Sequence, residues 1–231
     1  MKTIAIAGSG TDVGKTFFAC RLIEDLRAQG RNVVPRKPVV SGVDDADVGS
    51  SDTDRLIAAA GLTIAARNAV SPWRFTDPVA PNEAARRARV KLKFDAIVAA
   101  CAIDDDDDRN GETAVIVETA GGVMSPLTDD TTQLALLQVL AAPVFLVVDG
   151  SYLGWLSHTL TALFSVREAG LDVLAVVVNR GGDVDALRRF TSIPVVGIHA
   201  RELLTVLASV SMSTPRPART WRGRDYGGRV D

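Results

Sequence analysis

The run Gly8-Ser9-Gly10-Thr11-Asp12-Val13-Gly14-Lys15-Thr16 gathers glycines, hydroxyls and one lysine within nine residues. Glycines let backbone N–H groups converge on one point, where they attract an anion. A lysine adds a compact positive charge, and a hydroxyl can ligate a cation. The run follows an apolar stretch, Ile4–Ala7, and precedes a helical pattern from Phe17 to Leu26. Strand, glycine turn, Gly-Lys-Thr and helix in that order bind a nucleoside triphosphate. Asp12, Val13, Gly14, Lys15, Thr16 and Phe17 are the expected nucleotide contacts. Lys15 faces the β- and γ-phosphates, the helix N-terminus supplies further N–H groups, and the Thr16 hydroxyl ligates Mg²⁺. One detail departs from the usual spacing: Ser9 stands where the first glycine of GxxxxGK[ST] would fall, and Gly8 precedes it, so the loop is a long variant.

Four further groups carry chemistry. Lys37-Pro-Val-Val-Ser41-Gly42 is a loop shaped by Pro38 and Gly42. It aims Lys37 at the γ-phosphate from the side opposite Lys15 and offers the Ser41 hydroxyl to a second substrate. Only five of the 26 basic residues are lysine, so lysine at two such turns stands out. A slim ammonium fits between phosphate oxygens where a planar guanidinium does not. Ser50-Ser51-Asp52-Thr53-Asp54 reads as a helix cap, and a carboxylate there could also reach the metal. Glu118 ends an apolar strand, where an acid completes a Mg²⁺ shell, and Gly121 and Gly122 after it let N–H groups approach a ligand. Asn179 is either a turn former before Gly181-Gly182 or a reader of a nucleobase edge.

These residues need a scaffold, and the rest of the chain supplies one. Nearly continuous apolar runs predict strands over Thr3–Ala7, Asn32–Arg36, Ala114–Val117, Val144–Val148, Val173–Val178 and Val195–Gly197. Helical patterns cover Lys15–Ala28, Asp52–Ala60, Asn82–Val90, Phe94–Ile103, Thr131–Leu140, Leu156–Ala169, Val184–Phe190 and Glu202–Val210. Strands without alternation are covered on both faces. The expected fold is α/β, a P-loop NTPase-type doubly wound, mostly parallel sheet with helices on both faces, forming one domain over residues 1–212. The 213–231 tail, rich in Arg, Pro and Gly, reads as loosely ordered, and the acidic run Asp104–Asp108 as a solvated loop.

Composition narrows the classes. Hydrophobic residues make up 47 % of the 231, enough for a sizeable core. A net charge of −2 gives no reason to expect nucleic acid or a membrane surface as partner. Cys20 and Cys101 read as free thiols, no run approaches a membrane span, and Met1-Lys2 runs straight into a strand, so the expected location is cytoplasmic. His158 and His199 lack metal-spaced partners.

With these motifs in hand, the chain resembles the dethiobiotin synthetase family from Ile4 to about Leu204. The opening loop has the family's length. Lys37–Gly42 is its K-P-V-x-S-G, Ser51-Asp52 its S-D before a helix, and the spacing to Gly61 favours Asp52 over Asp54. Val117–Gly122 is its V-E-G-A-G-G with Thr119 for one Gly, and Leu153–His158 its L-G-x-x-N-H with Ser157 for Asn. The resemblance implies closure of a cyclic urea from 7,8-diaminononanoate, CO₂ (or bicarbonate) and ATP. The course runs through a carbamate and a carbamic–phosphoric anhydride. It implies catalytic roles for Lys37, Lys15 and Thr11, with Mg²⁺ on Thr16, Asp52 and Glu118. It implies substrate contacts at Ser41, Gly121, Gly122 and Ser157, and adenine at Asn179, which Arg180 follows where the family has Asp. It also implies a homodimer whose partner subunit meets the substrate's carboxylate tail. Two other readings stand beside it. A cobyrinate-type amidoligase would need a glutaminase domain, for which the chain after Leu204 is too short. A ParA/MinD-like switch would carry a second lysine inside the loop, where position 10 is Gly.

Overall fold

A computed structural model describes residues 2–44, 49–103 and 113–199. The chain folds through β1 (Lys2–Gly8), α1 (Lys15–Ala28), β2 (Val33–Arg36), β3 (Val39–Ser41), α2 (Asp52–Ala59), α3 (Arg67–Val70) and β4 (Trp73–Phe75). It continues through α4 (Pro81–Arg87), α5 (Phe94–Ala100), β5 (Ala114–Glu118), α6 (Gln133–Leu140), β6 (Val144–Asp149), α7 (Trp155–Glu168), β7 (Val173–Asn179), α8 (Val184–Arg188) and β8 (Val195–Gly197). Six strands form one sheet in the order β2-β5-β1-β6-β7-β8, every neighbouring pair parallel. This is the doubly wound sheet expected from the apolar runs. The expected helix Glu202–Val210, the Asp104–Asp108 run and the tail lie outside the described residues.

Side-chain alternation sorts each strand between two packed faces. Ile4 and Ile6 of β1, Ala114 and Ile116 of β5, and Phe145 and Val147 of β6 pack with Phe18, Leu22 and Ile23 of α1. Ala5, Ala7, Leu146 and Val148 face the opposite way, against Leu137 of α6 and Val166 of α7. Val115 and Val117 meet Ile97 of α5 and Leu136 of α6. With both faces covered, no strand position has reason to be polar until the sheet ends.

Three elements were not expected from the sequence: β3, β4 and the short helical turns over Ile64–Val70. β3 and β4 pair in parallel as a separate two-stranded sheet, with Ser41 opposite Phe75. At three residues each they are too short to show a periodicity. α6 starts two residues later than its apolar pattern, because Thr131 and Thr132 are held in a local turn: Thr131 hydrogen-bonds the Thr128 hydroxyl at 2.5 Å and Thr132 bridges Pro126.

Candidate active site

The strand alternation also places the polar residues that follow the strands. Lys37 lies two residues beyond Pro35, Glu118 two beyond Ile116, and Asn179 two beyond Val177. Each therefore emerges on the α1 face at the carboxyl edge of the sheet, where ligands of open α/β sheets bind. The glycine loop between β1 and α1 crosses that same edge. Gly14 caps α1 with a left-handed backbone (φ +100°), a conformation that costs little only for glycine. A Cβ there would also lie 2.2 Å from the Asn179 amide nitrogen. Gly8 leaves room for Lys15, whose Cδ would sit 2.9 Å from a Cβ at that position.

The loop folds Lys15 back over itself, and its ammonium donates to the Gly10 carbonyl at 2.8 Å. The Thr16 hydroxyl donates to Glu118 Oε1 at 2.7 Å. Lys37 completes the cluster. Its ammonium donates to Glu118 Oε1 at 2.7 Å, to Thr16 Oγ1 at 3.2 Å and to Asp52 Oδ2. Lys15, Thr16, Lys37 and Glu118 are all buried, and the other oxygen of Glu118, Oε2, is buried without a hydrogen-bond partner.

Burial pushes the Lys15 ammonium down to about 8, with the nearby Lys37 charge adding to the shift and Glu118 opposing it. Burial also works against Lys37, but Glu118 and Asp52 outweigh it and hold that ammonium above the usual lysine value. Asp52 mirrors this: burial opposes its charge, and Lys37 overcomes it and holds the carboxyl below the usual range. Lys15 is therefore only partly charged near pH 8 without a phosphate partner. A triphosphate on the loop favours the charged form, so binding at pH 8 draws in a proton and affinity falls as pH rises through 8. Calorimetry in two buffers of different ionisation enthalpy is expected to show an uptake of roughly half a proton at pH 8. Uptake near zero would mean that Lys15 is already fully charged before the nucleotide binds or does not meet the phosphates.

Asp52, favoured over Asp54 by its spacing to Gly61, is also the one the fold turns to the cleft. Asp54 turns away into a buried pair with Arg67, with N–O distances of 2.6 and 2.7 Å, and accepts from the Gly49 N–H. The Arg67 hydrogen bonds outweigh the cost of burial and hold its carboxyl far below the usual range. Asp54→Ala, which removes both of its hydrogen bonds from Arg67, is expected to lower unfolding stability by about 3 kcal/mol and leave the Mg²⁺ requirement of ATP turnover unchanged. Urea unfolding and a Mg²⁺ titration check the two halves; a raised requirement would reassign the metal to Asp54.

A cleft of about 630 Å³ opens beside this cluster. Thr11, Asp12, Gly14, Lys15, Thr16, Phe17, Lys37, Ser41, Asp52, Glu118 and Gly121 line it. The other singled-out residues lie elsewhere. Val13 is buried beneath the loop, and its carbonyl accepts from the Asn179 amide at 3.1 Å. Asn179 thus abuts the loop rather than the cleft wall. The Gly122 N–H is donated to Ser125 Oγ at 2.9 Å, not held open for a ligand. Ser157 is exposed on the first turn of α7, away from the cleft, and the neighbouring His158 pairs with the Tyr152 hydroxyl at 2.8 Å. The far wall of the cleft, Pro78–Pro81, was not anticipated; the Ser41 hydroxyl donates to its Val79 carbonyl at 2.7 Å. Arg55 also lines the cleft, one helical turn beyond Asp52, a position the i, i+3 spacing could have revealed.

A parallel sheet whose first strand runs through a glycine loop into a helix opening with Lys-Thr, with a buried acid closing the neighbouring strand, defines a P-loop nucleotide-binding protein. A family model described as an AAA domain matches residues 2–205. The chain is 45 % identical over 184 residues to the ATP-dependent dethiobiotin synthetase BioD of Methylobacterium nodulans, covering 78 % of this chain and 81 % of that one. It is 45 % identical over 190 residues to the BioD of Caulobacter vibrioides (81 % and 84 %) and 44 % over 191 to that of Phenylobacterium zucineum (80 % and 79 %). The chain belongs to the ATP-dependent dethiobiotin synthetase family. Among solved structures, the signal recognition particle receptor FtsY of Elizabethkingia anophelis superposes with a TM-score of 0.47 at 16 % identity, over 96 % of this chain and 62 % of that one.

Proposed function

We propose that this chain is a dethiobiotin synthase: it spends ATP to close a cyclic urea from 7,8-diaminononanoate and CO₂. The observation that carries the reading is the convergence of Lys15, Lys37, Thr16, Asp52 and Glu118 at one end of a cleft whose other wall is the Val40–Gly42 and Pro78–Pro81 pair of segments. One end suits a triphosphate and the other a second, uncharged-chain substrate.

The residues divide the work. One amine of the diamine, added to CO₂, gives a carbamate, which Thr11 and Ser41 orient with their hydroxyls. A carbamate oxygen attacks the γ-phosphorus, the bond to the β-phosphate oxygen breaks, and ADP leaves. Negative charge gathers on the transferring group, and the buried ammoniums of Lys15 and Lys37 offset it. The second amine then attacks the carbamoyl carbon, and phosphate departs with the oxygen that came from CO₂. Both amines belong to one molecule, so holding it in place meets most of the entropic cost of ring closure.

A divalent cation fits the residues present. Two carboxylates and a hydroxyl are the usual protein share of a Mg²⁺ shell completed by phosphates, and the unpartnered Glu118 Oε2 has an acceptor to spare. Thr16, Asp52 and Glu118 would hold it, and it would supply charge neutralisation for the triphosphate. Asn179, against the loop, is offered as the adenine contact. Fully exposed Leu153 and largely exposed Phe164 on and before α7 favour a homodimer through this helix, with Ser157 near the substrate's tail in the partner site. No described helix is long and apolar enough to cross a membrane, and we place the enzyme in the cytoplasm as a single domain over residues 1–212.

Phosphate release tests the reading. It is expected to need both the diamine and bicarbonate. Turnover that is driven instead by DNA or lipid vesicles would favour a positioning ATPase.

A further inference from the structure

The Lys37 ammonium touches three side-chain atoms: Thr16 Oγ1 at 3.2 Å, Glu118 Oε1 at 2.7 Å and Asp52 Oδ2. These belong to the same three residues assigned above to the divalent cation. The overlap has a physical consequence. Mg²⁺ binds oxygen at about 2.0–2.1 Å and sheds its water reluctantly. An ammonium in hydrogen-bond contact with those oxygens and an ion coordinated by them cannot occupy the same small volume. At these three atoms the two cations compete.

We infer that Lys37 is an internal counter-ion that holds the metal position in the nucleotide-free protein, so that the divalent cation is admitted only together with the nucleotide. The inference rests on the assignment of Thr16, Asp52 and Glu118 to the metal. Glu118 is almost wholly enclosed and needs a positive partner, since an unpaired buried charge is strongly destabilising, and the half-buried Asp52 adds a second negative charge beside it. Lys37 supplies it, almost wholly buried itself. A free divalent ion arriving alone would have to break that ion pair and leave the ammonium buried beside a second cation. A triphosphate changes the balance. It offers the ammonium a new anionic partner within the cleft, and the flexible four-carbon stem of lysine can rotate to reach it. The carboxylates are then released to the incoming ion. The same side chain thus guards the empty site and, once displaced, faces the terminal phosphate. Admission of the metal and arming of the catalytic lysine become one event.

The test reads Mn²⁺ binding without nucleotide, by electron paramagnetic resonance, in wild type and in Lys37→Met, which keeps the stem and removes the charge. Lys37→Met is expected to bind Mn²⁺ at least about tenfold more tightly than wild type, and Mn²⁺ is expected to raise its melting temperature but not that of wild type. Adding Glu118→Gln to Lys37→Met is expected to abolish the gain. Should Lys37→Met not fold in metal-free buffer, the wild-type protein labelled with ¹⁵N at lysine side chains answers the same question. Mg²⁺ alone is expected to leave the Lys37 Nζ resonance in place, and Mg²⁺ with a non-hydrolysable ATP analogue to move it. Wild type that binds Mn²⁺ as tightly as the variant, or an Nζ resonance that moves on Mg²⁺ alone, overturns the inference while leaving the metal ligands intact. Mn²⁺ bound with the nucleotide analogue but indifferent to Glu118→Gln overturns the ligand assignment, and the counter-ion role with it.

Discussion

Lys37→Ala is expected to lower kcat by about a hundred- to a thousandfold while moving nucleotide Kd by less than about threefold. The asymmetry follows from where the charge is needed. Lys15 and the loop N–H groups meet the phosphates from the moment of binding, whereas Lys37 comes from another strand and gives up its pairing with Glu118 and Asp52 to reach them, so its net gain on binding is small. Its contribution grows as charge accumulates on the phosphoryl group in flight, and an interaction made mainly in the transition state appears in kcat. Steady-state kinetics with a separate nucleotide-binding titration measure both quantities. Equal losses in affinity and rate would reduce Lys37 to a binding residue.

Glu118→Gln is expected to raise the Mg²⁺ concentration for half-maximal turnover by about tenfold or more. Glu118 is the most enclosed acid of the cluster, and the change keeps its shape while removing its charge. One oxygen already serves Thr16 and Lys37, and the other has no partner. Because Lys37 also loses a carboxylate, kcat at saturating Mg²⁺ is expected to fall too, so the Mg²⁺ titration is the diagnostic quantity. An unchanged midpoint would remove Glu118 from the metal shell.

How far the sequence carried this reading depended on the length of the signal. β1, β5, β6 and β7 are buried on both faces, so their apolar runs stand out and their ends are sharp. Where those runs stop, the first polar residue of the right parity comes out at the carboxyl edge, which is why the positions of Lys37 and Glu118 beside the cleft, and of Asn179 against the loop, follow from the sequence. β3 and β4 have three residues each, and their pairing is a tertiary contact with no local signature. Between Asp52 and Asp54 the spacing to Gly61 favours Asp52, but the physical reason is tertiary: Arg67, 13 residues away from Asp54, takes that carboxylate out of the cleft. Gly122 and Val13 were read as ligand contacts because glycine-rich loops present many N–H groups. The fold bonds the Gly122 N–H to Ser125, whereas at Val13 it is the carbonyl and not the N–H that is engaged, by Asn179. The apolar wall of the cleft lies between two prolines, Pro78 and Pro81, in a segment with neither strand nor helix period.

The most direct test follows one oxygen atom. With the diamine, ATP and CO₂ labelled with ¹⁸O, held under conditions where exchange with water is slow, the released phosphate is analysed by mass spectrometry. Attack by the carbamate oxygen on the γ-phosphorus, followed by ring closure at carbon, predicts one ¹⁸O in each phosphate formed. Phosphate that carries no label, with ADP formed at the same rate, would show water as the attacking group and contradict the account.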